Sequence, residues 1–371
     1  MFSHADHQFM SRALQLARKA LFITSPNPAV GCVLVKDGRV IGEGWTQPAG
    51  GPHAEICALN RAGDEAKGAT AYVTLEPCSH HGRTPPCCDA LLAAGVSRVV
   101  AALQDPHHRV SGAGLQRLKH NGVEVECGLY GEQARQINVG FCSRMERGLP
   151  RVRLKLAVSL DGRTAMASGE SQWITGPESR YQVQRLRAAS CAIITGVASV
   201  IADDSALTVR PDEWIRSYPA SQVRQPLRVV LDSQLRLPIE AKILQSQAKT
   251  LIVCVEADET KRLALEQAGA EVLVLASEND QVELAGLLRW LAQEKECNEV
   301  LVEAGATVAG SFIAQGLVDE LHVFQAPILL GSSARPMADF DLQSMSQKHE
   351  WQIRDSRRLG QDQWLILSPG G

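Results

Sequence analysis

Short apolar runs with strand character alternate with helical segments along the first part of this chain. Residues 29–45 contain two such runs on either side of Asp37-Gly38, a pair typical of a two-residue hairpin turn. Further strands are expected at 71–77 and 98–103, and each is followed by a stretch with helical character. Strands that alternate with helices predict a sheet with helices packed on its faces. The first part of the chain is therefore expected to be an α/β domain.

A second alternating series starts after Gly148 and Pro150, which end a helical stretch and precede a new strand. The length of 371 residues suits two hydrophobic cores better than one. We therefore predict two α/β domains, at residues 1–147 and 148–371. Residues 211–226 are expected to form an irregular insertion in the second domain, because they show no periodic pattern.

The charge and the apolar pattern exclude several classes of function. A formal net charge of -3 and an aromatic content of 5% supply neither the basic surface nor the stacking side chains typical of nucleic-acid binding. The N-terminus lacks the basic start and apolar core of a secretory signal, and no apolar run is long enough to span a membrane. We expect a cytoplasmic protein that binds neither nucleic acid nor membranes, with its cysteines reduced.

Two stretches carry side chains that commonly bind metals. Residues 52–59 place His53 and Glu55 two positions apart at the predicted start of a helix. Residues 75–95 hold three cysteines and two histidines in a loop rich in proline and glycine that leads into a helix. Clustered thiols in a chain of this class favour metal binding or catalysis over a disulfide.

The number and placement of these side chains suit a catalytic zinc ion, which takes three protein ligands and leaves one position for water. His53, Cys78 and Cys87 supply that number. Cys78 follows a predicted strand and Cys87 opens a predicted helix, where a thiolate is favoured. Cys88 is the alternative to Cys87. Glu55 remains as a carboxylate that can carry protons.

The combined pattern is related to a known signature. His-x-Glu followed by Pro-Cys-x-x-Cys is typical of zinc-dependent base deaminases, although here the second cysteine lies nine residues after the first instead of three. The stretches TSPNPAVGCVLV, PHAEICAL and LEPCSHHGRTPPC resemble the deaminase half of the bacterial bifunctional deaminase-reductase family of riboflavin biosynthesis. That family has the cytidine-deaminase fold with a longer loop between its two cysteines.

The resemblance implies an N-terminal cytidine-deaminase-like three-layer α/β domain. It also implies hydrolytic deamination of a diaminopyrimidinone that carries a ribosylamino 5'-phosphate, with zinc activating the water and Glu55 moving the protons. By the same resemblance Asn27, His80 and Arg83 contact the substrate, and Arg83 suits its phosphate. Thr46 stands where the family commonly has histidine, so one substrate contact is expected to differ.

One strand-to-helix turn in the second half has glycines that could admit a phosphate. A β run ends at Glu303-Ala304-Gly305, and Gly310 follows in the opening of a helix. The pattern is neither a dinucleotide-binding fingerprint nor a P-loop. A simple glycine-containing turn is therefore the alternative interpretation.

Four stretches resemble the reductase half of the same family, in the same order: 155–165, 171–176, 194–210 and 300–313. The resemblance thus covers residues 4 to about 368 and implies a dihydrofolate-reductase-like domain that uses NADPH to reduce the ribosyl group to ribityl. It also implies a homodimer through this domain. The residues expected to contact the cofactor are Ala157, Trp173, Ser199, Asp203, Gly305, Ala306, Thr307 and Gly310. Those expected to contact the substrate are Ser171, Arg187, Leu207, Arg210 and Glu303.

Lys155 and Asp161 are further candidates for the reductase site, and Ser205 stands where the family usually has proline. Two other functions remain compatible with the metal pattern. A nucleoside or nucleic-acid base deaminase with a non-catalytic nucleotide-binding second domain is one, although a nucleic-acid enzyme would need a basic, aromatic surface. A zinc-stabilised scaffold is the other, with Cys88 or His80 as a fourth ligand.

Overall fold

A computed structural model gives the conformation of most of the chain, which forms two compact units, Met1–Leu149 and Pro150–Gly371. The described residues are 1–80, 85–107, 111–210, 224–246, 248–275 and 280–370. Among them, no helix is both long enough and apolar enough to cross a membrane. Every cysteine is a free thiol. Most of the predicted insertion, residues 211–223, lies outside the described residues.

In the described part of the first unit there are one five-stranded sheet and six α-helices. The strands are β1 (Gly31–Lys36), β2 (Arg39–Trp45), β3 (Thr70–Val73), β4 (Arg98–Ala101) and β5 (Glu124–Cys127). The helices are α1 (His4–Ala20), α2 (Ala54–Ala62), α3 (Cys87–Ala93), α4 (Ala113–His120), α5 (Gly131–Ile137) and α6 (Val139–Arg147). The sheet has the order β2-β1-β3-β4-β5. Strand β1 is antiparallel to both neighbours, whereas β3, β4 and β5 are parallel.

Helices cover both faces of this sheet because its strands are apolar on both sides. Cys32 and Leu34 pack on one face against α2, α3 and α4. Val33 and Val35 pack on the other face against α1 and α5. Alternate residues of a strand point to opposite faces, so a continuously apolar strand needs cover on both. The expected three-layer α/β domain is confirmed.

The predicted hairpin is present, and its turn has Asp37 at φ 49° and Gly38 at φ 74°, the left-handed conformations that a two-residue turn requires. The start of β1 lies beside the ends of β2 and β3. The amide N–H of Val30 donates to the Thr46 hydroxyl at 3.1 Å, and that of Gly31 donates to the Thr74 hydroxyl at 3.1 Å. The chain continues from this edge of the sheet into the cysteine-bearing loop.

The described residues of the second unit form a nine-stranded sheet, a two-stranded sheet and six α-helices. The strands are β6 (Arg151–Val158), β7 (Arg163–Ala165), β8 (Ala192–Gly196), β9 (Leu227–Leu231), β10 (Thr250–Cys254), β11 (Ala270–Val274), β12 (Glu299–Val302), β13 (Glu320–Gln325), β14 (Arg335–Pro336), β15 (Trp351–Leu359) and β16 (Asp362–Pro369). The helices are α7 (Pro177–Ala189), α8 (Val197–Asp203), α9 (Lys242–Gln245), α10 (Glu259–Gln267), α11 (Leu284–Glu294) and α12 (Ala306–Ala314).

The large sheet has the order β11-β10-β9-β8-β12-β6-β13-β16-β15, and β14 pairs with β7 in the small one. The strands from β11 to β13 in this order are parallel, and β16 and β15 are antiparallel additions. Parallel strands put their carboxyl ends at one edge, so β6, β8 and β12 deliver the residues that follow them to the same side of the sheet.

Some elements differ from the sequence prediction. The helix expected from Glu132 is divided into α5 and α6 at Asn138, whose side chain accepts the Ala29 N–H at 2.8 Å and donates to the Ala29 carbonyl at 3.0 Å. Neither α10 nor the hairpin of β15 and β16 was predicted. Most residues of β15 are exposed, so its sequence carries little of the apolar alternation that marks a strand.

Candidate active sites

His53, Cys78 and Cys87 lie within reach of one metal ion. The Nδ1 atom of His53 is 3.6 Å from Sγ of Cys78 and 3.3 Å from Sγ of Cys87. The three candidate ligand atoms all lie within 4.8 Å of one another. In the described part of the chain this is the only group of three or more His, Cys, Asp or Glu side chains with such geometry. One imidazole nitrogen and two sulfurs fit the donor set of a catalytic zinc ion.

Helix starts place two of these side chains. His53 is the N-cap residue of α2, in an extended conformation, and its side chain faces the two sulfurs instead of capping the helix. Pro86 is the N-cap residue of α3, and Cys87 is the first residue of that helix. The amide N–H of Cys87 donates to Sγ of Cys78 at 3.3 Å. A donor from a helix start therefore supports negative charge on the Cys78 sulfur.

The two alternative ligands do not join this group. The Cys88 thiol is buried and donates to the carbonyl of Pro77 at 3.2 Å and to that of Gly114 at 3.6 Å. Burial raises the pKa of Cys88 to about 12. The exposed His80 ring instead stacks with His107, with 6.3 Å between ring centroids. Among the described residues, His53, Cys78 and Cys87 are therefore the three candidate ligands of one metal ion.

The two sulfurs of the site differ in acidity. A hydrogen bond from Cys87, together with His53, lowers the pKa of Cys78 to about 4. The pKa of Cys87 is raised, chiefly because its thiol donates that hydrogen bond to Cys78 and also because it is buried. The pair therefore forms one thiolate readily, and a cation is needed to hold both sulfurs as thiolates.

Glu55 lies in the first turn of α2 and is 4% exposed. Burial raises the pKa of Glu55 to about 7, with the Cys78 charge acting in the same direction. A hydrogen bond with Cys87 opposes this rise and places the carboxyl group at the sulfur cluster. A carboxyl group with a pKa near neutrality can both accept and release a proton at physiological pH. The geometry therefore puts a carboxyl group that can carry protons beside the candidate metal ligands.

The other residues expected to contact the deaminase substrate are placed less fully. Asn27 lies in the turn between α1 and β1, where its N–H donates to the Thr24 carbonyl at 3.0 Å. His80 lies two residues after Cys78, which is a candidate metal ligand, and is exposed. Arg83 lies outside the described residues.

Thr46, at the position where the family commonly has histidine, is turned into the protein. Its side chain is buried, with 2% exposure of the residue, and its hydroxyl accepts the Val30 N–H. Thr46 therefore supports the loop before β1.

The structure also places two residues beside this site that the sequence had not indicated. Asp105 follows β4 and is buried, and burial raises the pKa of its carboxyl group to about 6. Its side chain accepts the N–H of His107 at 2.8 Å, and the His107 ring stacks with His80. The available signal was an Asp-Pro pair directly after a predicted strand, a place where functional side chains often lie.

In the second unit, Glu303 is surrounded by cations. Its two carboxylate oxygens accept hydrogen bonds from Arg187 at 2.7 and 2.9 Å, and Nζ of Lys155 lies 4.0 Å away. Burial alone would raise the pKa of Glu303, but Arg187, Lys155 and Arg210 hold it below its usual value. Arg187 also donates to the Thr208 carbonyl at 3.1 Å. Three of its donors are thus used within the protein, and the resemblance implied that Arg187 contacts the substrate.

The segment after α8 carries two other expected substrate residues. Leu207 is buried with φ 49°, an unusual conformation for a side chain branched at Cγ. The Arg210 N–H donates to the Gln184 side chain at 3.0 Å, and the Arg210 charge acts on Glu303. This segment therefore brings Arg210 to the Glu303 group.

Several residues expected to bind the cofactor meet where α8 and α12 begin. Gly305 is the N-cap residue of α12, and its N–H donates to the Ser199 hydroxyl at 3.3 Å. Ala306 and Thr307 form the first turn of the same helix. A Cβ at Gly305 would lie 3.4 Å from Ser199 Oγ, so the two elements approach closely here.

Two expected site residues, Ser171 and Trp173, lie in the segment after β7. The Ser171 hydroxyl donates to Asp203 at 3.3 Å. Trp173 is 64% exposed, and the Arg180 guanidinium lies 4.6 Å from its ring centroid. Ala157 lies near the end of β6 and is half-buried. An exposed indole is a large apolar surface that a planar ligand can cover.

Gly310 and Asp161 have roles within the protein. Gly310 is buried in α12, and a Cβ there would lie 2.1 Å from the carbonyl oxygen of Asp339. Close packing of α12 on Asp339 thus accounts for this glycine without a nucleotide. The Asp161 carboxylate accepts the N–H groups of Leu330 at 3.1 Å and Gly331 at 2.8 Å, so it joins the turn after β6 to the segment after β13.

Comparison with known proteins finds two family models, and each matches residues of one unit. Residues 3–103 match the cytidine and deoxycytidylate deaminase zinc-binding region, and residues 150–365 match the RibD C-terminal domain. The riboflavin biosynthesis protein RibD of Escherichia coli is 49% identical over 98% of this chain and 99% of its own length. The corresponding protein of Haemophilus influenzae is 47% identical over 100% of this chain and 99% of its own length.

Solved structures show the same relationship. The structure of Acinetobacter baumannii RibD covers 99% of this chain and 99% of its own, with 46% identity and a TM-score of 0.92. A diaminohydroxyphosphoribosylaminopyrimidine deaminase/5-amino-6-(5-phosphoribosylamino)uracil reductase from Thermotoga maritima covers 99% of both chains, with 30% identity and a TM-score of 0.85. The similarity therefore spans both units and is not confined to either one.

Proposed function

Because the chain belongs to the RibD family, and so is a bifunctional deaminase and reductase of riboflavin biosynthesis, we propose that its two reactions take place at the two residue groups described above. Deamination belongs to the His53, Cys78 and Cys87 group, and reduction to the Glu303 group. A base deaminase with a non-catalytic second domain is not favoured, because the full-length relatives match the reductase half as well.

The observation that carries the deaminase proposal is the buried Glu55 beside a three-ligand site. His53, Cys78 and Cys87 would hold Zn²⁺, which when bound lowers the pKa of a water towards neutrality. Glu55 would accept a proton from a water at this site and later donate it to the departing amino group, which leaves as ammonia. The ring carbon of the diaminopyrimidinone thereby exchanges its amino group for oxygen. Asn27, His80 and Arg83 are the proposed contacts to the ribosylamino 5'-phosphate substrate.

For the reductase we propose NADPH as the hydride donor. Hydride addition to the sugar carbon that carries the amino group, with a proton delivered to the ring oxygen, opens the ribosyl ring to a ribityl chain. Burial lowers the pKa of Lys155, and its ammonium lies 4.0 Å from Glu303, so this pair is a suitable proton source. Leu207, Arg210 and Ser171 are the further proposed substrate contacts.

The cofactor would lie where α8 and α12 begin. Ser199 and the Gly305 to Thr307 turn offer backbone and hydroxyl groups to its phosphates. Asp203, Trp173 and Ala157 are the other proposed contacts. We further propose that the enzyme works in the cytoplasm, since reduced thiols are needed for the zinc site, and that it forms a homodimer through the reductase unit. Light scattering on the purified protein measures that assembly.

The proposal is tested with the zinc-loaded enzyme, the diaminopyrimidinone ribosylamino phosphate and NADPH. Ammonia release and NADPH oxidation are followed together for the wild type and for Glu55→Ala. The wild type is expected to do both, and the variant to do neither until it receives the deaminated intermediate. Ammonia release without NADPH oxidation would contradict the reductase proposal. If neither occurs with zinc in place, the substrate assignment is wrong.

A further inference from the structure

Glu76 directly precedes the Pro77-Cys78 pair, yet it does not belong to the metal-binding group. Its residue exposure is 3%, so a carboxylate is buried two positions before a proposed zinc ligand. A buried carboxylate is costly unless its oxygens accept hydrogen bonds. Its partners therefore indicate what this side chain does.

Four backbone N–H groups donate to the Glu76 carboxylate. Oε2 accepts from Asp105 at 3.0 Å and Gly112 at 2.9 Å. Oε1 accepts from Gly114 at 2.8 Å and Leu115 at 3.3 Å. Three of the donors lie at the start of α4, where N–H groups lack partners within the helix. One side chain thus joins the loop after β3, which carries Cys78, to two segments that are 29 to 39 residues away along the chain.

A second set of contacts, made by Cys88 and Gly114, holds the same loop at Pro77. The Cys88 thiol donates to the carbonyls of Pro77 and Gly114. A Cβ at Gly114 would lie 2.1 Å from the Pro77 carbonyl oxygen and 3.2 Å from the Cys88 sulfur, so only glycine fits there. We call Glu76, Pro77, Cys88 and Gly114 the Glu76 anchor.

The anchor is connected to the proposed ligands by backbone contacts. The Cys88 N–H donates to the Cys78 carbonyl at 3.2 Å, and the Cys87 N–H donates to the Cys78 sulfur at 3.3 Å. The same anchor fixes Asp105, whose side chain holds the His107 N–H beside the His80 ring. Movement of the Glu76 carboxylate would therefore displace both sulfurs.

We propose that Glu76 is a positioning residue of the deaminase site, which fixes the distance between the Cys78 and Cys87 sulfurs by binding the N–H groups of residues 105, 112, 114 and 115. The inference rests on the proposed zinc site. Some residues orient metal ligands without binding the metal themselves. Replacing such a residue commonly changes metal affinity or activity by roughly 10-fold to 100-fold.

Glu76→Gln tests this in the full-length, zinc-loaded enzyme. The amide keeps the size of the side chain but turns an N–H₂ group towards backbone donors, so at least one pair is repelled. Zinc release to an excess of a colorimetric chelator is expected to be roughly 10-fold faster than in the wild type. Glu76→Asp keeps the charge on a shorter side chain. Its rate of zinc release is expected to lie between those of the wild type and Glu76→Gln. The exposed Glu65→Gln is the matched control and should release zinc at the wild-type rate.

Two further measurements separate positioning from general stability. The visible spectrum of the cobalt-substituted protein reports ligand geometry and should change in Glu76→Gln. NADPH oxidation with the deaminated intermediate should remain at the wild-type rate, because the reductase residues lie in the other unit. A lower melting temperature with unchanged zinc release and an unchanged cobalt spectrum would overturn the proposal, since Glu76 would then only support the fold.

Gly114→Ala provides an independent variant if Glu76→Gln does not fold. Its new Cβ would press on the Pro77 carbonyl without altering any charge, and it should speed zinc release in the same way. Wild-type zinc release in Gly114→Ala would overturn the inference. If the wild type itself binds no zinc, the proposed function fails, and this result is distinct from a wild type and Glu76→Gln that hold zinc equally well.

Discussion

Cys87 and Cys88 are adjacent in the chain, but their thiols face different surroundings. The Cys87 sulfur lies 3.3 Å from His53 Nδ1, whereas the Cys88 thiol donates to two backbone carbonyls. We expect Cys87→Ser to lose zinc, because a serine hydroxyl does not form the anionic ligand that zinc favours at neutral pH. Cys88→Ser should keep one zinc per chain, since its hydroxyl can still donate to Pro77.

Metal analysis of the two purified variants checks this pair. The variants are matched, because both replace one buried cysteine by serine at neighbouring positions. Zinc retention in Cys87→Ser together with loss in Cys88→Ser would reverse the ligand assignment. The sequence allowed either cysteine, and only the direction of each side chain separates them.

Glu303 gives a second prediction at the scale of single residues. Glu303→Gln removes the charge that Arg187, Lys155 and Arg210 surround, and it leaves the Arg187 guanidinium without its carboxylate partner. Breaking such a buried pair is expected to cost about 3 kcal/mol of stability in this unit. The reductase kcat/KM should fall at least roughly tenfold, because hydrogen bonds to charged groups contribute about 1.5–3 kcal/mol.

Steady-state NADPH oxidation with the deaminated intermediate measures this loss, and urea denaturation measures the stability. Ammonia release by the same variant is the internal control, because Glu55 and the sulfur cluster lie in the first unit. A variant with normal reductase kinetics would show that Glu303 has only a structural role.

At the scale of elements, the packing of α12 leads to a prediction about two helical glycines. Gly310→Ala would place Cβ 2.1 Å from the Asp339 carbonyl oxygen, and backbone cannot move away cheaply. We expect a loss of about 1–3 kcal/mol in the free energy of unfolding. Gly286→Ala in α11 is the matched control, because its new Cβ meets only the flexible end of Glu283. That change should be neutral or stabilise by up to about 1 kcal/mol.

Thermal and urea unfolding of both variants test these opposite signs. A Gly310→Ala protein as stable as the wild type would show that α12 can shift away from Asp339. In that case packing on Asp339 would not explain why residue 310 is a glycine, and a bound ligand would again be the explanation.

Strand β13 holds a buried histidine, His322, that contacts Trp364 of β16. Trp364 donates to His322 Nδ1 at 3.2 Å, and His322 Nε2 lies 2.7 Å from Glu320. This arrangement suits a neutral ring with its proton on Nε2. Burial lowers the pKa of His322 from its ordinary value of 6.5, and Glu320 only partly opposes this.

A lowered histidine pKa means that the folded state binds the proton less well than the unfolded state does. The stabilising contribution is therefore complete above pH 6.5 and is lost as the pH falls below that value. We expect the stability of this unit to decrease from pH 7 to pH 5, by at most about 1.4 kcal/mol per pH unit for this one proton. His322→Gln should flatten that decrease. An unchanged slope in urea-unfolding experiments at each pH would rule out this histidine as the cause.

Local signals explain which elements could be predicted from the sequence. The hairpin of β1 and β2 has its turn residues in adjacent positions, and the ligands His53 and Cys87 stand at helix starts marked by their own neighbours. The close packing of Gly310 on Asp339 could not be predicted, because the two residues lie far apart along the chain. Glu76 gave no signal of its role, since its four partners are backbone N–H groups, which every sequence contains.

At the scale of the whole molecule, the two chemistries depend on different kinds of residue. The group that can hold a metal lies entirely within Met1–Leu149, and Glu303, Arg187 and Lys155 lie within Pro150–Gly371. The cations around Glu303 are nitrogen donors that are protonated, so they do not ligate a metal ion. Removal of zinc should therefore stop ammonia release but leave reduction of the deaminated intermediate unchanged.

The experiment treats the full-length enzyme with an excess of a zinc chelator and then removes the chelator with its bound metal. Ammonia release from the diaminopyrimidinone is expected to fall with the zinc content and to return when zinc is added back. NADPH oxidation with the deaminated intermediate should keep its kcat and KM throughout. If reduction also failed and recovered with zinc, the metal would be needed for the conformation of the second unit as well. The two reactions would then not be independent of each other, because zinc held in the first unit would be required for both.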